Sequence, residues 1–210
     1  MLPQEIEIKL DLQNEENYLK LIDFFDAGGN SVRQSNYFFD TRDNALSSLG
    51  WACRIRIEDD RRAFMTLKGP REKSSVGPAV RTEIEEKMDL MRAGESIEHG
   101  MDISDLTDGL KQIPEAAIED EKLSKKLSFE NHRTSISYAL ADRSINLEMD
   151  RTVFSDGSID YEVEIELAEM STYESILEGI RNLFEELSIP VVIQSKSKYR
   201  RALEKEIDGN

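Results

Sequence analysis

At 210 residues the chain is long enough to bury one substantial core or two small ones, and a single domain over 1–210 is the simpler expectation. Charged residues make up 33% and the formal net charge is −16 at pH 7, which excludes general nucleic-acid binding and attraction to an anionic membrane, since both need a positive field. One cysteine, Cys53, excludes a disulfide framework and a cysteine-rich zinc site and fits a reducing compartment.

No apolar run reaches the length of a membrane-spanning helix, and the first five residues lack the regions of a signal peptide, so a soluble cytoplasmic protein is expected. The chain opens with Glu5-Ile6-Glu7-Ile8-Lys9, in which charge and branched apolar side chains alternate. On a β-strand this puts Glu5, Glu7 and Lys9 on one face and Ile6, Ile8 and Leu10 on the other. Two carboxylates two residues apart can share a hard cation, while the lysine beside them can reach an anion bound to that cation. Taken alone, the same pattern also describes a solvated strand face carrying a Glu/Lys pair.

Asn14-Glu15-Glu16 reads as a capped helix start, with Tyr18, Leu21, Ile22 and Phe25 as an apolar stripe ending at Gly28-Gly29. An aromatic strand, Tyr37-Phe38-Phe39, runs into a polar turn and a short helical turn over Ala45–Leu49, stopped by Gly50. Trp51 to Glu58 puts Arg54 and Arg56 on one face; after a turn at Asp59-Asp60, Arg62 to Pro70 returns with Phe64, Thr66 and Lys68 on one side, a hairpin pattern. Trp51 and the two histidines, His99 and His132, lack the pattern of a base-stacking or metal-ligand site and are expected to pack or lie exposed.

A further strand from Val80 places Arg81, Glu83 and Glu85 together. From about 89 to 126 the two-residue period disappears, which predicts a helical insertion between two halves of one sheet. The period resumes at Phe129–Leu140 with Arg133, at Ile145–Asp150 with Glu148 and Asp150 on one face, and at Tyr161–Leu167 with Glu162, Glu164 and Glu166 in line. A helix over about 172–187, an extended piece from Pro190 and a charged helical segment over 199–203 close the chain.

Charged residues thus recur at alternate positions of several strands, one set acidic (Glu5, Glu7, Glu148, Asp150, Glu162, Glu164, Glu166) and one basic (Lys9, Arg54, Arg56, Lys68, Arg81, Arg133, Lys196). Facing inward in a closed antiparallel barrel, these groups would line a charged tunnel. Such an interior persists only where the charges pair, stay hydrated or meet a neutralising ligand. Facing outward, they would form cross-strand salt bridges worth a few tenths of a kcal/mol each. The arginines flanked by aliphatic residues favour the first arrangement, because the guanidinium fork matches phosphate oxygens.

The ordered set Glu5-x-Glu7-x-Lys9, Tyr37-Phe-Phe-Asp40-Thr41, Arg54-Ile-Arg56, Thr66-Leu-Lys68-Gly-Pro, Arg81-x-Glu83, Arg133, Glu148-x-Asp150, Glu162-x-Glu164-x-Glu166 and Ser195-Lys196 resembles the CYTH-domain, or triphosphate tunnel metalloenzyme, superfamily. That superfamily includes class IV adenylyl cyclase, thiamine triphosphatase and bacterial inorganic triphosphatases. The resemblance implies an α+β fold built on a closed antiparallel eight-stranded barrel with helices packed outside. It assigns Glu5, Glu7, Asp150 and the Glu162/Glu164/Glu166 strand to a divalent metal, Mg²⁺ or Mn²⁺, with Glu162 and Glu164 favoured within that strand. It assigns Lys9, Arg54, Arg56, Lys68, Arg81, Arg133 and Lys196 to the triphosphate, with Glu5, Glu7, Lys9 and Asp150 as the catalytic set and Glu83 and Glu148 as orienters of the arginines. Lys198 is a near neighbour of Lys196, and the helix behind it suggests a lid or plug.

The expected activity is metal-dependent hydrolysis of a triphosphate, inorganic triphosphate first, by a monomer or homodimer whose partner is that small molecule. Adenylyl cyclisation of ATP to cyclic AMP on the same scaffold, and a polyphosphate-binding module without turnover, are the alternatives.

Overall fold

The computed structural model describes residues 4–71, 78–102, 122–140 and 143–208. Among them the chain runs β1 (Gln4–Asp11), α1 (Glu15–Phe24), β2 (Ser31–Asp40), α2 (Ala45–Ser48), β3 (Ala52–Glu58), β4 (Arg62–Arg71), β5 (Ala79–Met88), α3 (Leu90–His99), β6 (Met101–Asp102), β7 (Lys122–Leu140), β8 (Arg143–Val153), β9 (Ile159–Glu166), α4 (Tyr173–Glu186) and α5 (Lys198–Asp208). The strand order β2-β3-β4-β5-β1-β9-β8-β7 closes through a β2–β7 pairing, and the two-residue β6 adds to β7. This is the closed eight-stranded antiparallel barrel of the expected α+β fold. Closure removes the unpaired strand edges that an open sheet must otherwise protect.

Two compact units make up the chain. The second contains β1, α1, most of β7, β8, β9, α4 and α5. Its strands alternate as their sequences require: Ile8 and Leu10, Leu147 and Met149, and Val163 and Ile165 share a core with Tyr18, Leu21 and Ile22 of α1 and Ile176, Leu177, Ile180, Leu183 and Phe184 of α4. Each aliphatic or aromatic side chain buried there is worth about 1.5–3 kcal/mol. With period two, that burial commits the intervening charged residues to the opposite face. Asn14 caps α1 by accepting a hydrogen bond from the Asn17 backbone N–H at 3.0 Å. Residues 190–194 lie extended along β1, with Asp11 N donating to Val192 O at 2.8 Å and Gln194 N to Lys9 O at 2.9 Å.

The first unit contains α2, β3, β4, α3, β6, most of β2 and β5 and the start of β7. Cys53 and Ile55 of β3, Met65 and Leu67 of β4, Leu46 of α2 and Ala93 of α3 form its core, with Trp51 packed against them as expected. The β3–β4 hairpin turns through Asp59 and Asp60, both with positive φ (48° and 56°), a conformation that aspartate tolerates better than most residues. Asp40 is fully buried and accepts backbone N–H bonds from Thr41, Leu46 and Ser47 (2.8–3.0 Å), so this acid folds the chain from β2 into α2.

The expected insertion over 89–126 supplies α3 and β6, and residues 103–121 lie outside the described set. The strand β7 starts at Lys122, ahead of the expected end of the insertion. Leu123 and Leu127 are buried there, while the polar Ser124-Lys125-Lys126 between them breaks the alternation that would reveal a strand in the sequence.

Candidate active site

Cross-strand register decides which side chains of the second unit meet. Arg133 on β7 faces Asp150 on β8, which faces Glu162 on β9, which faces Asp11 on β1. One rung along, Ser135 faces Glu148, Glu148 faces Glu164, and Glu164 faces Lys9; beyond that, Glu166 faces Glu7. Directly opposed residues share a face, so four strands bring their ionic groups together on the side away from the apolar core. Like charges directly opposite are destabilising, and the pairs Asp150–Glu162 and Glu148–Glu164 need cations between them.

Those cations are present. Lys9 Nζ lies 3.0 Å from Glu7 and also bonds Glu164. Arg133 grips both Asp150 oxygens, through Nε at 2.8 Å and through Nη2, and reaches Glu148 and Glu164 as well. Helix α5 adds two more: Lys198 Nζ stands 2.8 Å from Asp150 and 3.1 Å from Glu164 and bonds Glu162, while Arg201 lies 2.8 Å from Asp160 and 2.6 Å from Glu162. Asp150 is 0% exposed and Glu162 2% exposed, so these are charges withdrawn from water.

Burial and pairing pull the titrations apart. Burial drives the Glu164 carboxyl up, but Lys198, Lys9 and Arg133 together hold it well below the ordinary range. At Asp150 burial is likewise outweighed, by Arg133 and Lys198, and its pKa is lowered. Glu162 and Glu148 go the other way: burial leads, Glu164 repels both, and their pKa values are raised. Burial alone would weaken the Lys9 ammonium, yet Glu164 and Glu7 keep it protonated.

In the first unit a second ionic cluster forms on the face opposite Cys53 and Ile55. Glu85 Oε1 and Oε2 accept from Arg56 Nη2 (3.0 and 3.2 Å), and Oε2 also accepts from the Thr66 hydroxyl (2.8 Å), which in turn accepts from Arg54 (3.0 Å). Register explains the group, since Arg54 faces Thr66 and Thr66 faces Glu85. Lys68 is 2.6 Å from Glu83. Arg56 Nε lies 3.3 Å from Glu58 without forming an aligned hydrogen bond, a buried donor with capacity for a ligand oxygen.

The CYTH domain profile matches residues 3–202. The chain belongs to the CYTH domain family. Among solved structures, HpAC1 from Hippeastrum, described as a proposed adenylyl cyclase with a dominant triphosphatase activity, superposes with a TM-score of 0.78 at 24% identity, covering 96% of each chain. A protein from Bacillus halodurans described as a proposed adenylate cyclase gives 0.67 at 24% identity, covering 94% of this chain and 97% of its own. The Pyrococcus horikoshii protein PH1819 gives 0.60 at 20% identity, covering 96% of this chain and 99% of its own. At these identities the likeness establishes the fold. No curated protein sequence matches the chain. CYTH enzymes are triphosphatases or cyclases that take triphosphate small molecules and use divalent metals.

The acidic groups of this CYTH chain suit such a metal. Asp150, Glu162 and Glu164 each offer an oxygen, all within 4.8 Å of one another. Hard carboxylate oxygens at that separation suit a hard divalent cation, and the three already surround one cation, the Lys198 ammonium. Glu7 is buried and Glu5 half-buried on the same face of β1, and Glu166, at the end of β9, is exposed. Of the expected phosphate-binding residues, Lys9 and Arg133 are inside the cluster of the second unit, Arg54 and Arg56 inside that of the first unit, with Lys68 paired to Glu83 and Arg81 half-buried on β5.

Lys196 stands elsewhere. Its side chain is 53% exposed and bonds Glu204 at 2.7 Å, and Lys198 occupies the acidic cluster instead. Arg201 was not anticipated from the sequence, although Lys198 and Arg201 are three residues apart on a helix and share a face. Among the described residues, no helix is long and apolar enough to cross a membrane.

Proposed function

We propose that this CYTH protein is a divalent-metal-dependent triphosphatase with inorganic triphosphate as its first substrate. The observation that carries the reading is the sharing of one carboxylate, Glu164, by Lys9, Arg133 and Lys198. A cluster of buried acids already compensated by lysine and arginine side chains is suited to trading those cations between carboxylate and phosphate oxygens.

In the second unit, Glu5, Glu7, Asp150, Glu162 and Glu164 would hold the metal, and Lys9, Arg133 and Lys198 would take phosphate oxygens. Lys198 fills the role first expected of Lys196, because it is the lysine withdrawn from solvent. In the first unit, Arg54, Arg56, Lys68 and Arg81 are the phosphate-recognising groups, and the buried Nε of Arg56 supports that assignment. A bound divalent cation supplies charge neutralisation on the phosphate oxygens and acidifies water. Within the second unit, Lys9, Arg133 and Lys198 would hold phosphate oxygens in position, which is most of what phosphoryl transfer asks of a protein. Attack of water on the terminal phosphorus then forms one P–O bond and breaks the bridging one, releasing orthophosphate and diphosphate.

The triphosphatase activity described for HpAC1 supports hydrolysis over cyclisation. Incubation with Mg²⁺ or Mn²⁺ and inorganic triphosphate, ATP or thiamine triphosphate tests the reading. Orthophosphate release is expected, fastest from inorganic triphosphate; cyclic AMP from ATP, or binding without turnover, would replace it with one of the other two activities.

A further inference from the structure

Behind Asp150 lies a buried polar chain. The Thr152 hydroxyl donates to Asn131 Oδ1 at 2.9 Å, and Asn131 Nδ2 donates to Asp150 Oδ1 at 2.9 Å. Thr152 and Asp150 are fully buried and Asn131 is 2% exposed. Register places the group: Asn131 faces Thr152 across the β7–β8 ladder, one rung from the pair Arg133–Asp150, so all four side chains share a face.

The Asp150 carboxylate, which only accepts, fixes which way the amide points, and the Thr152 hydroxyl then meets the Asn131 carbonyl as a donor. Reversed, the Asn131 carbonyl would oppose the Asp150 carboxylate, acceptor against acceptor in a dry site. With the amide so fixed, Asp150 Oδ1 receives Asn131 Nδ2 and Arg133 Nε, and Oδ2 is left to face Arg133 Nη2 and Lys198. The oxygen turned toward the cation position is therefore chosen from behind.

We infer that Asn131 and Thr152 are positioning residues that orient the Asp150 carboxylate for a bound divalent cation. The inference rests on the proposed function in one respect, that the cation Asp150 faces in the working protein is a metal. Groups that orient a metal-binding carboxylate affect metal affinity by about 10- to 100-fold. The end of the chain farther from Asp150 allows a clean test. Thr152→Val keeps the shape of the side chain and removes the hydroxyl, whereas Thr152→Ser keeps the hydroxyl and removes a methyl group.

The experiment is calorimetric titration of the full chain with Mn²⁺, without substrate, for wild type, Thr152→Val, Thr152→Ser and Asn131→Leu, with thermal unfolding recorded for each. Thr152→Val and Asn131→Leu should bind Mn²⁺ about 10- to 100-fold more weakly, and Thr152→Ser should stay within about twofold of wild type. A packing role gives the opposite order, because serine opens a void and valine does not. Mn²⁺ affinity unchanged in Thr152→Val, affinity lost equally in Thr152→Ser, or no Mn²⁺ binding by wild type overturns the inference. Mn²⁺ binding in the expected order by a protein that hydrolyses no triphosphate would remove the proposed function and leave this one standing.

Discussion

Lys198 Nζ lies 2.8 Å from Asp150 Oδ2, joining the first residue of the last helix to the middle of β8. The same ammonium bonds Glu162 and stands 3.1 Å from Glu164, so the protein supplies its own cation to the three acids best placed for a metal.

Replacing Lys198 with Gln leaves those carboxylates undercompensated. A unit charge at this range is worth several kcal/mol in a partly buried setting. Mn²⁺ binding in the absence of substrate should therefore tighten by about tenfold or more, while turnover of triphosphate falls. Calorimetry and phosphate release measure the two effects separately, and weaker Mn²⁺ binding in the variant would contradict the arrangement.

Glu164→Gln removes the carboxylate shared by Lys9, Arg133 and Lys198. Breaking a buried ion pair from one side typically costs about 3–5 kcal/mol, because the partner charges stay behind. The metal-free variant should lose stability of that order in urea unfolding. A loss under about 1 kcal/mol would mean that the three cations find other partners or water.

Arg56→Lys keeps the charge and loses the fork that reaches Glu85 and leaves Nε for a ligand. A charge-assisted hydrogen bond is worth about 1.5–3 kcal/mol, so kcat/KM for triphosphate should drop by about 10- to 100-fold. Wild-type kinetics in this variant would remove Arg56 from phosphate recognition.

Stability of the metal-free protein should peak in mildly acid solution. Glu162 and Glu148 have raised pKa values in the folded state, so below neutrality the folded form gains protons first and stability rises as pH falls toward the ordinary carboxyl range, about pH 4 to 5. Asp150 and Glu164 have lowered pKa values, so below that range the unfolded form gains protons first and stability is lost as pH falls through the folded values. Unfolding midpoints recorded with a chelator across acid pH should pass through this maximum; a steady rise from acid to neutral would show that the raised pair carries no weight.

Much of this was legible in the alternation of side chains. Ile8 and Leu10 are buried in the core while Glu7 and Lys9 turn to the ionic side, as a two-residue period demands. The same period cannot rank Glu162, Glu164 and Glu166, which are in phase; depth along β9 ranks them, with Glu162 buried, Glu164 half-buried and Glu166 exposed. Lys196 and Lys198 are separated by a change of rule, since α5 begins at Lys198 and from there a helical repeat governs. Reading Lys198 and Arg201 as one helical face would have found both cations. The Asn131–Asp150 contact was hidden because it depends on pairing β7 with β8 in one register, and a single strand does not announce its partner.

The burial of Cys53 gives the molecule a chemically silent surface. With no exposed area and a thiol pushed up to about 12, it forms almost no thiolate at neutral pH and is shielded from alkylating reagents. The unaltered chain should therefore ignore maleimides, and Arg200→Cys, at a largely exposed position on α5, would carry the single reactive handle. A dye attached there would follow that helix while metal and triphosphate are added, with the native cysteine left in place.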